Sequence, residues 1–134
     1  KDYCLRKKLS EYFGLSLGLA RFILATGSLS QNKCYSLFLS NQIDYTAYFE
    51  FRINDSIAER IRSDIDLTFD LFQTGKKELK SIGLKKKSLS VLYAVNNLLP
   101  ILKEIRNSPQ LIFRKNHKLS LRAKFIGKID ELVT

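Results

Sequence analysis

The sequence has few of the residues on which metal and nucleophile chemistry depend. Its 134 residues include two cysteines, one histidine and six glycines. A structural zinc site needs about four Cys or His ligands. Catalysis through a histidine base would have to use His117, whose nearby charged residues are all basic. No glycine-rich phosphate loop is present. We therefore expect that the chain is not an enzyme and that it has no cofactor and no bound metal.

Long uncharged runs are missing as well. The longest, Ser88–Leu102, includes two asparagines and a proline. A helix that spans a bilayer needs about 20 predominantly apolar residues. The sequence therefore predicts no transmembrane span, and we expect no membrane partner.

Apolar residues make up 45% of the chain, while proline occurs only twice. The apolar residues recur at helical spacing and no clear alternating strand pattern is seen, so the sequence predicts an all-α fold. Near the N-terminus we expect one helix from Leu5 that ends at Gly14. A second helix, capped by Ser16, is expected to end at Gly27.

The longest and most buried helix is expected from Asn54 or Asp55 to about Gly75. A short helix over 43–51 and an apolar helix kinked or restarted at Pro100 complete the expected set.

Three acids of the predicted long helix, Asp64, Asp66 and Asp70, lie close enough in sequence to suggest a metal site. The same acids also fit exposed ion pairs one helical turn apart, Arg60–Asp64 and Arg62–Asp66. We favour the ion pairs.

The excess positive charge lies entirely in the second half of the chain. Lys1–Gly75 contains nine basic and nine acidic residues, whereas Lys76–Thr134 contains fourteen basic and four acidic ones. The second half therefore accounts for the whole formal net charge of +10. Such a division is typical of a folded module that presents a cationic surface to a polyanion, either nucleic acid or an anionic membrane.

The most informative local motif begins at Phe13 and reads apolar, Gly, apolar, small, three variable residues and Ala20. It resembles a helix–hairpin–helix element. In such an element small residues bring the backbone close to phosphates, and a helix N-terminus directs its free N–H groups at them.

The order of features from Leu5 to Lys87 resembles the bacterial and organellar family of small-subunit ribosomal protein thirteen. In that family a similar glycine turn leads into a helix that ends in glycine. A leucine-centred segment, a capped helix, a long helix and a basic stretch follow. The positions that carry the resemblance are Phe13-Gly14-Leu15-Ser16, 20–24, Gly27, Ser36-Leu37, 40–44 and 61–75.

The chain departs from the family pattern at two places. Ser16 stands where the family has the second glycine of the turn. The family's arginine-rich basic signature is reduced to Lys80, Gly83, Leu84 and Lys85 to Lys87, and a helix-forming extension follows Ser88 in place of an extended arginine-rich tail.

The resemblance implies a small helical domain with a helix–two-turns–helix element and a basic helical C-terminal extension. The implied domains are a ribosomal-protein-like domain at 1–75, a basic RNA-contacting segment at 76–88 and the extension at 89–134. The implied function is that of a structural protein of a divergent, mitochondrial small ribosomal subunit, bound to ribosomal RNA of the head. Partners by resemblance are small-subunit protein nineteen and, across the subunit interface, large-subunit protein five.

The residues that we expect to contact RNA lie in three groups. They are Ser16, Gly18 and Arg21 at the turn; Lys76, Lys77, Lys80, Lys85, Lys86 and Lys87 after the predicted long helix; and Arg114, Lys115, Lys118, Arg122 and Lys124 near the C-terminus.

Two alternatives belong to other classes. A helix–hairpin–helix DNA-binding module would share the turn and the basic surface. A peripheral membrane protein would use the basic amphipathic pattern of Leu119–Leu132.

Overall fold

The structure, a computed structural model, describes residues 2–33, 45–81 and 90–114. Four α-helices occupy these ranges: α1 Asp2–Gln31, α2 Tyr45–Phe49, α3 Asp55–Ser81 and α4 Ser90–Asn107. A short 3₁₀ helix, Pro109–Phe113, follows α4. The described ranges contain no strand, so the all-α expectation is confirmed for them.

α1 is one continuous helix of 30 residues, so the turn predicted at Gly14 is wrong. Its buried positions recur every three or four residues, and this spacing is the same before and after Gly14. They include Leu9, Phe13, Ser16, Ala20, Ile23, Gly27 and Ser30. A mid-helix glycine costs about 1 kcal/mol relative to alanine. Burial of several large side chains on one face, at about 1.5–3 kcal/mol each, outweighs that cost. The predicted end at Gly27 is also wrong, since α1 continues to Gln31.

α3 begins where the sequence predicts it. Oδ1 of Asn54 accepts a 2.9 Å hydrogen bond from the backbone N–H of Ile57, which is the bond of a helix N-cap. The helix does not end near Gly75, as predicted, but continues to Ser81. Gly75 is buried against α1, and a Cβ there would lie 2.9 Å from Cε1 of Phe13. The glycine therefore permits a close approach of two helices and is not a C-cap.

α1 and α3 run antiparallel and form the centre of the core. In one cluster, Leu9 and Phe13 from the early part of α1 pack with Phe72 and Leu79 from the late part of α3. In the larger cluster, residues from the later part of α1 pack with residues from the early part of α3. These are Ala20 and Ile23 of α1 with Ile57, Ile61 and Ile65 of α3. At 27 residues α3 is shorter than α1, so the prediction that it is the longest helix is wrong.

α4 packs against α1 and α3 of the same chain. Its residues Ile101, Leu102 and Ile105 are buried in the larger cluster. The helix continues through Pro100, so the predicted restart is not found. Pro109 opens the 3₁₀ helix, a position where its missing N–H costs nothing.

α2 and the 3₁₀ helix close the core beside the C-terminal part of α1. The short helix predicted over 43–51 is confirmed in its described part as α2, and its Tyr48 is fully buried. The ring of Tyr48 lies 6.1 Å from that of Phe113. Gly27 lies against the backbone of Ile112, and a Cβ at position 27 would overlap the Ile112 carbonyl oxygen. The missing side chain therefore lets the 3₁₀ helix lie directly on α1.

α1 is unusually apolar for a helix with an exposed face. Leu15 and Phe22 on that face are 57% and 54% exposed. By length and composition alone, the stretch Arg6–Gln31 would be long and apolar enough to cross a membrane, and 39% of its most apolar window is buried inside the protein. The sequence expectation of no such span rested on uncharged runs, whereas this stretch contains isolated charges. A core helix meets the same criterion because one of its faces is apolar for packing.

Candidate nucleic-acid interface

The last two turns of α3 carry a lysine face, formed by Lys76, Lys77 and Lys80. Residues three and four apart lie on the same side of a helix, so these lysines and Gln73 share one side. Lys77 and Lys80 are exposed, and Lys76 is half-buried. The basic segment predicted from residue 76 thus begins as a rigid continuation of α3.

Packing between aromatic rings fixes the lysine face against α1. The ring of Phe72 meets that of Phe13 edge-on, with centroids 5.9 Å apart and planes inclined by 63°. Nζ of Lys76 lies 5.4 Å from the centroid of the Phe72 ring, within the range of a cation–π interaction. Beside them, Leu9 and Leu79 are buried in the same cluster. We call residues 6–13 of α1 and 72–81 of α3, taken together, the paired helix end.

Lys77 and Lys80 form no ion pair with any described residue. Four arginines at the other end of α3 and in the segments beside it are engaged within the chain. Arg52 pairs with Glu50, Arg60 with Asp64 at 2.6 Å and Arg106 with Asp66 at 2.6 Å, while Nε of Arg62 donates to the Arg106 carbonyl oxygen at 3.3 Å. Lys77 and Lys80 are therefore among the exposed cations that the described chain leaves without an anionic partner.

Three further cations lie at the paired helix end, and sequence reasoning missed them. Arg6, Lys7 and Lys8 are exposed on the early turns of α1. When the net charge is counted for each half of the chain, the positive charge of these residues is offset by the acids of the first half. The antiparallel packing of α1 on α3 separates them from most of those acids, and no local sequence signal gives that packing.

The residues predicted at the turn are not placed for phosphate binding. Ser16 is fully buried, and its hydroxyl donates a 3.1 Å hydrogen bond to the Phe13 carbonyl oxygen. Gly18 is half-buried in the middle of α1, where the backbone N–H is engaged within the helix. Arg21 is exposed, but it lies 15 residues after Arg6, which places it about 22 Å along the helix from that cation.

The C-terminal group is described only at its first member. Arg114 is exposed and follows the 3₁₀ helix, which lies beside Gly27 and therefore far from the lysine face. The other predicted contacts, Lys85, Lys86, Lys87, Lys115, Lys118, Arg122 and Lys124, lie outside the described residues.

The acids of α3 act as partners for arginines. The predicted pair Arg60–Asp64 is confirmed, and the Asp64 carboxylate is almost buried. The predicted pair Arg62–Asp66 is wrong. Both oxygens of Asp66 instead accept hydrogen bonds from Arg106 of α4, at 2.6 and 3.0 Å. This bidentate hydrogen bonding lowers the pKa of Asp66. Within residues 2–33, 45–81 and 90–114, no group of His, Cys, Asp and Glu side chains is arranged to hold a metal ion.

The chain matches no protein-family model, no curated protein and no solved structure.

Proposed function

We propose that this chain is a structural protein of a divergent, mitochondrial small ribosomal subunit that binds ribosomal RNA in the subunit head. The observation that carries the proposal is the lysine face of α3, whose exposed Lys77 and Lys80 have no anionic partner in the described chain. The order of sequence features from Leu5 to Lys87, which resembles that of the bacterial and organellar family of small-subunit ribosomal protein thirteen, also supports the proposal.

Lysines on a rigid helix suit recognition of a phosphate backbone. A lysine ammonium is a compact point charge on a flexible stem, so it contacts phosphates without demanding one bidentate geometry. Phosphate contacts fix the position of a protein on nucleic acid and do not read its sequence. This is the chemistry that a structural RNA-binding protein requires, and it needs neither a catalytic group nor a cofactor.

Assembly partners follow from the same resemblance. Small-subunit protein nineteen would lie beside the chain in the head, and large-subunit protein five would meet it across the subunit interface. The glycine turn that the ribosomal family and the DNA-binding alternative share is not found within α1. The ribosomal proposal therefore depends on the lysine face and on the other features of the sequence order.

Co-sedimentation tests the assignment directly. We expect the tagged chain to be recovered with small ribosomal subunits and released as monovalent salt is raised. Exclusive recovery with DNA or with anionic liposomes would contradict the proposal.

A salt titration with small-subunit ribosomal RNA tests the lysine face. Each neutralised phosphate contributes about −0.7 to −0.9 to the slope of log K against log salt. The variant Lys77→Gln/Lys80→Gln should therefore reduce the steepness by about 1.4–1.8. The matched control Lys33→Gln/Lys103→Gln removes the same charge from exposed positions elsewhere and should keep the wild-type slope. Equal slopes for both variants would show that the lysine face is not the contact.

A further inference from the structure

The fold gathers cations from two helices that are far apart in sequence. Lys8 precedes Leu9, and Lys80 follows Leu79, and these two leucines are buried in the same small cluster. Packed helices lie about 8–10 Å apart. The exposed side chains of Arg6, Lys7 and Lys8 therefore border the same end of the helix pair as Lys77 and Lys80.

The three α1 cations point in different directions. Successive residues of an α-helix are rotated by about 100° about its axis. Arg6, Lys7 and Lys8 therefore fan around the outer side of α1 and extend the positive surface beyond the single side that α3 offers. A fan of this kind can follow an extended backbone of phosphates, whereas one helix face alone contacts a shorter part of it.

Cations outnumber acids at the paired helix end. None of Arg6, Lys7 and Lys8 forms an ion pair or side-chain hydrogen bond with a described residue. The acids close by in the helices are Asp2 at the start of α1, the exposed Glu11 and the half-buried Glu78. Five unpartnered cations at one helix end repel one another, and binding of a polyanion relieves that repulsion.

We propose that Arg6, Lys7 and Lys8 join Lys77 and Lys80 in one surface that binds the RNA phosphate backbone across the paired helix end. The inference rests on the proposed function and adds to it a second helix and three residues. It also gives the pairing of Phe13 with Phe72 a role, since that contact holds the two groups of cations together.

The test uses the full chain and a double variant on α1. We compare Lys7→Gln/Lys8→Gln with the matched control Lys33→Gln/Lys103→Gln, in which the exposed lysines lie after α1 and on α4. Both variants lower the net charge equally. We expect the α1 variant to reduce the salt slope for small-subunit ribosomal RNA by about 1.4–1.8 and the control to keep it. Because the role requires charge alone, Lys7→Arg/Lys8→Arg should bind as the wild type does.

The outcomes separate this inference from the proposed function. If the wild-type slope is steep and the α1 variant matches the control, the inference is overturned while the proposed function stands. If the wild-type slope is flat, both fail. If the slope and affinity are the same for duplex DNA as for ribosomal RNA, the surface binds polyanions without preference, which overturns its assignment to RNA. Far-ultraviolet circular dichroism of each variant checks that its helix content equals that of the wild type, so that a loss of binding can be separated from unfolding.

Discussion

The hydroxyl of Tyr48 in α2 donates a 2.7 Å hydrogen bond to the carbonyl oxygen of Thr26 in α1. In the opposite direction, the hydroxyl of Ser30 donates to the Tyr48 carbonyl oxygen at 2.6 Å. Both bonds are buried, so each is made where water cannot replace it. Together they join α2 to the end of α1. A helix of five residues is not stable through its own backbone hydrogen bonds, so α2 depends on this attachment.

Loss of the tyrosine hydroxyl should therefore be measurable. We expect Tyr48→Phe to lower the free energy of unfolding by about 1–2 kcal/mol, because one buried hydrogen bond is lost while the ring is kept. Urea denaturation followed by circular dichroism measures the change. The control Tyr3→Phe removes a hydroxyl from an exposed side chain and should change nothing. Equal effects of the two variants would show that the Tyr48 bond does not stabilise the fold.

Two glycines of α1 should respond to alanine in opposite directions. A Cβ at Gly14 would meet nothing within 4 Å, so Gly14→Ala should raise stability by about 0.5–1 kcal/mol through helix propensity. At Gly27 a Cβ overlaps the Ile112 carbonyl, and Gly27→Ala should cost about 1–3 kcal/mol. Thermal unfolding of both variants gives the comparison. A destabilised Gly14→Ala would indicate a glycine turn of the family type at that position.

Two phenylalanines on α1 form a second matched pair. Phe13 is 2% exposed, whereas Phe22 is 54% exposed. We expect Phe13→Ala to cost about 3–5 kcal/mol, since it leaves a cavity beside Phe72. Phe22→Ala should change stability by about 0.5 kcal/mol or less in the isolated chain. Chemical denaturation distinguishes the two. A large loss at Phe22 would show that the outer face of α1 is covered.

The pair of Asp66 and Arg106 should make stability depend on acidic pH. Bidentate hydrogen bonding from Arg106, together with its charge, holds the pKa of Asp66 below the ordinary 3.8. A depressed carboxyl pKa contributes stability that is fully present above pH 3.8 and is lost as the pH falls through the lower folded-state value. Asp66→Asn should therefore be less stable than the wild type near neutral pH, and the difference should shrink below pH 3.8.

The control for this measurement is Asp70→Asn, which removes an exposed acid from the same helix. Melting temperatures of the three proteins between pH 2 and pH 7 are compared. A gap between wild type and Asp66→Asn that stays constant over this range would contradict the role of the ion pair. The effect is small, because both side chains are partly exposed and solvent screens the pair.

The features that the sequence predicted correctly involve residues close to one another in the sequence. The cap at Asn54 and the pair Arg60–Asp64 each join residues three or four positions apart, so local spacing is enough to find them. The cluster of Lys76, Lys77 and Lys80 is also evident from local sequence, but the sequence placed it after the long helix, whereas it lies on α3.

The errors arose where distant residues compete. Asp66 pairs with Arg106 and not with Arg62, because the planar guanidinium of Arg106 donates hydrogen bonds to both carboxylate oxygens. Gly14 does not end its helix because the buried face of α1 continues past it against α3. The placement of Lys8 and Lys80 at the same end of the helix pair likewise follows from the packing of α1 on α3. Sequence periodicity finds such helices but does not say which of them pack together.

The contact between Gly27 and Ile112 also sets the order of events during synthesis. Of the described elements, α1 leaves the ribosome first, whereas Ile112, which covers Gly27, lies in the last described element. Before the 3₁₀ helix is made, the part of α1 around Gly27 lacks the residues that bury it in the complete fold. The core around Gly27 therefore closes only after the 3₁₀ helix has been made.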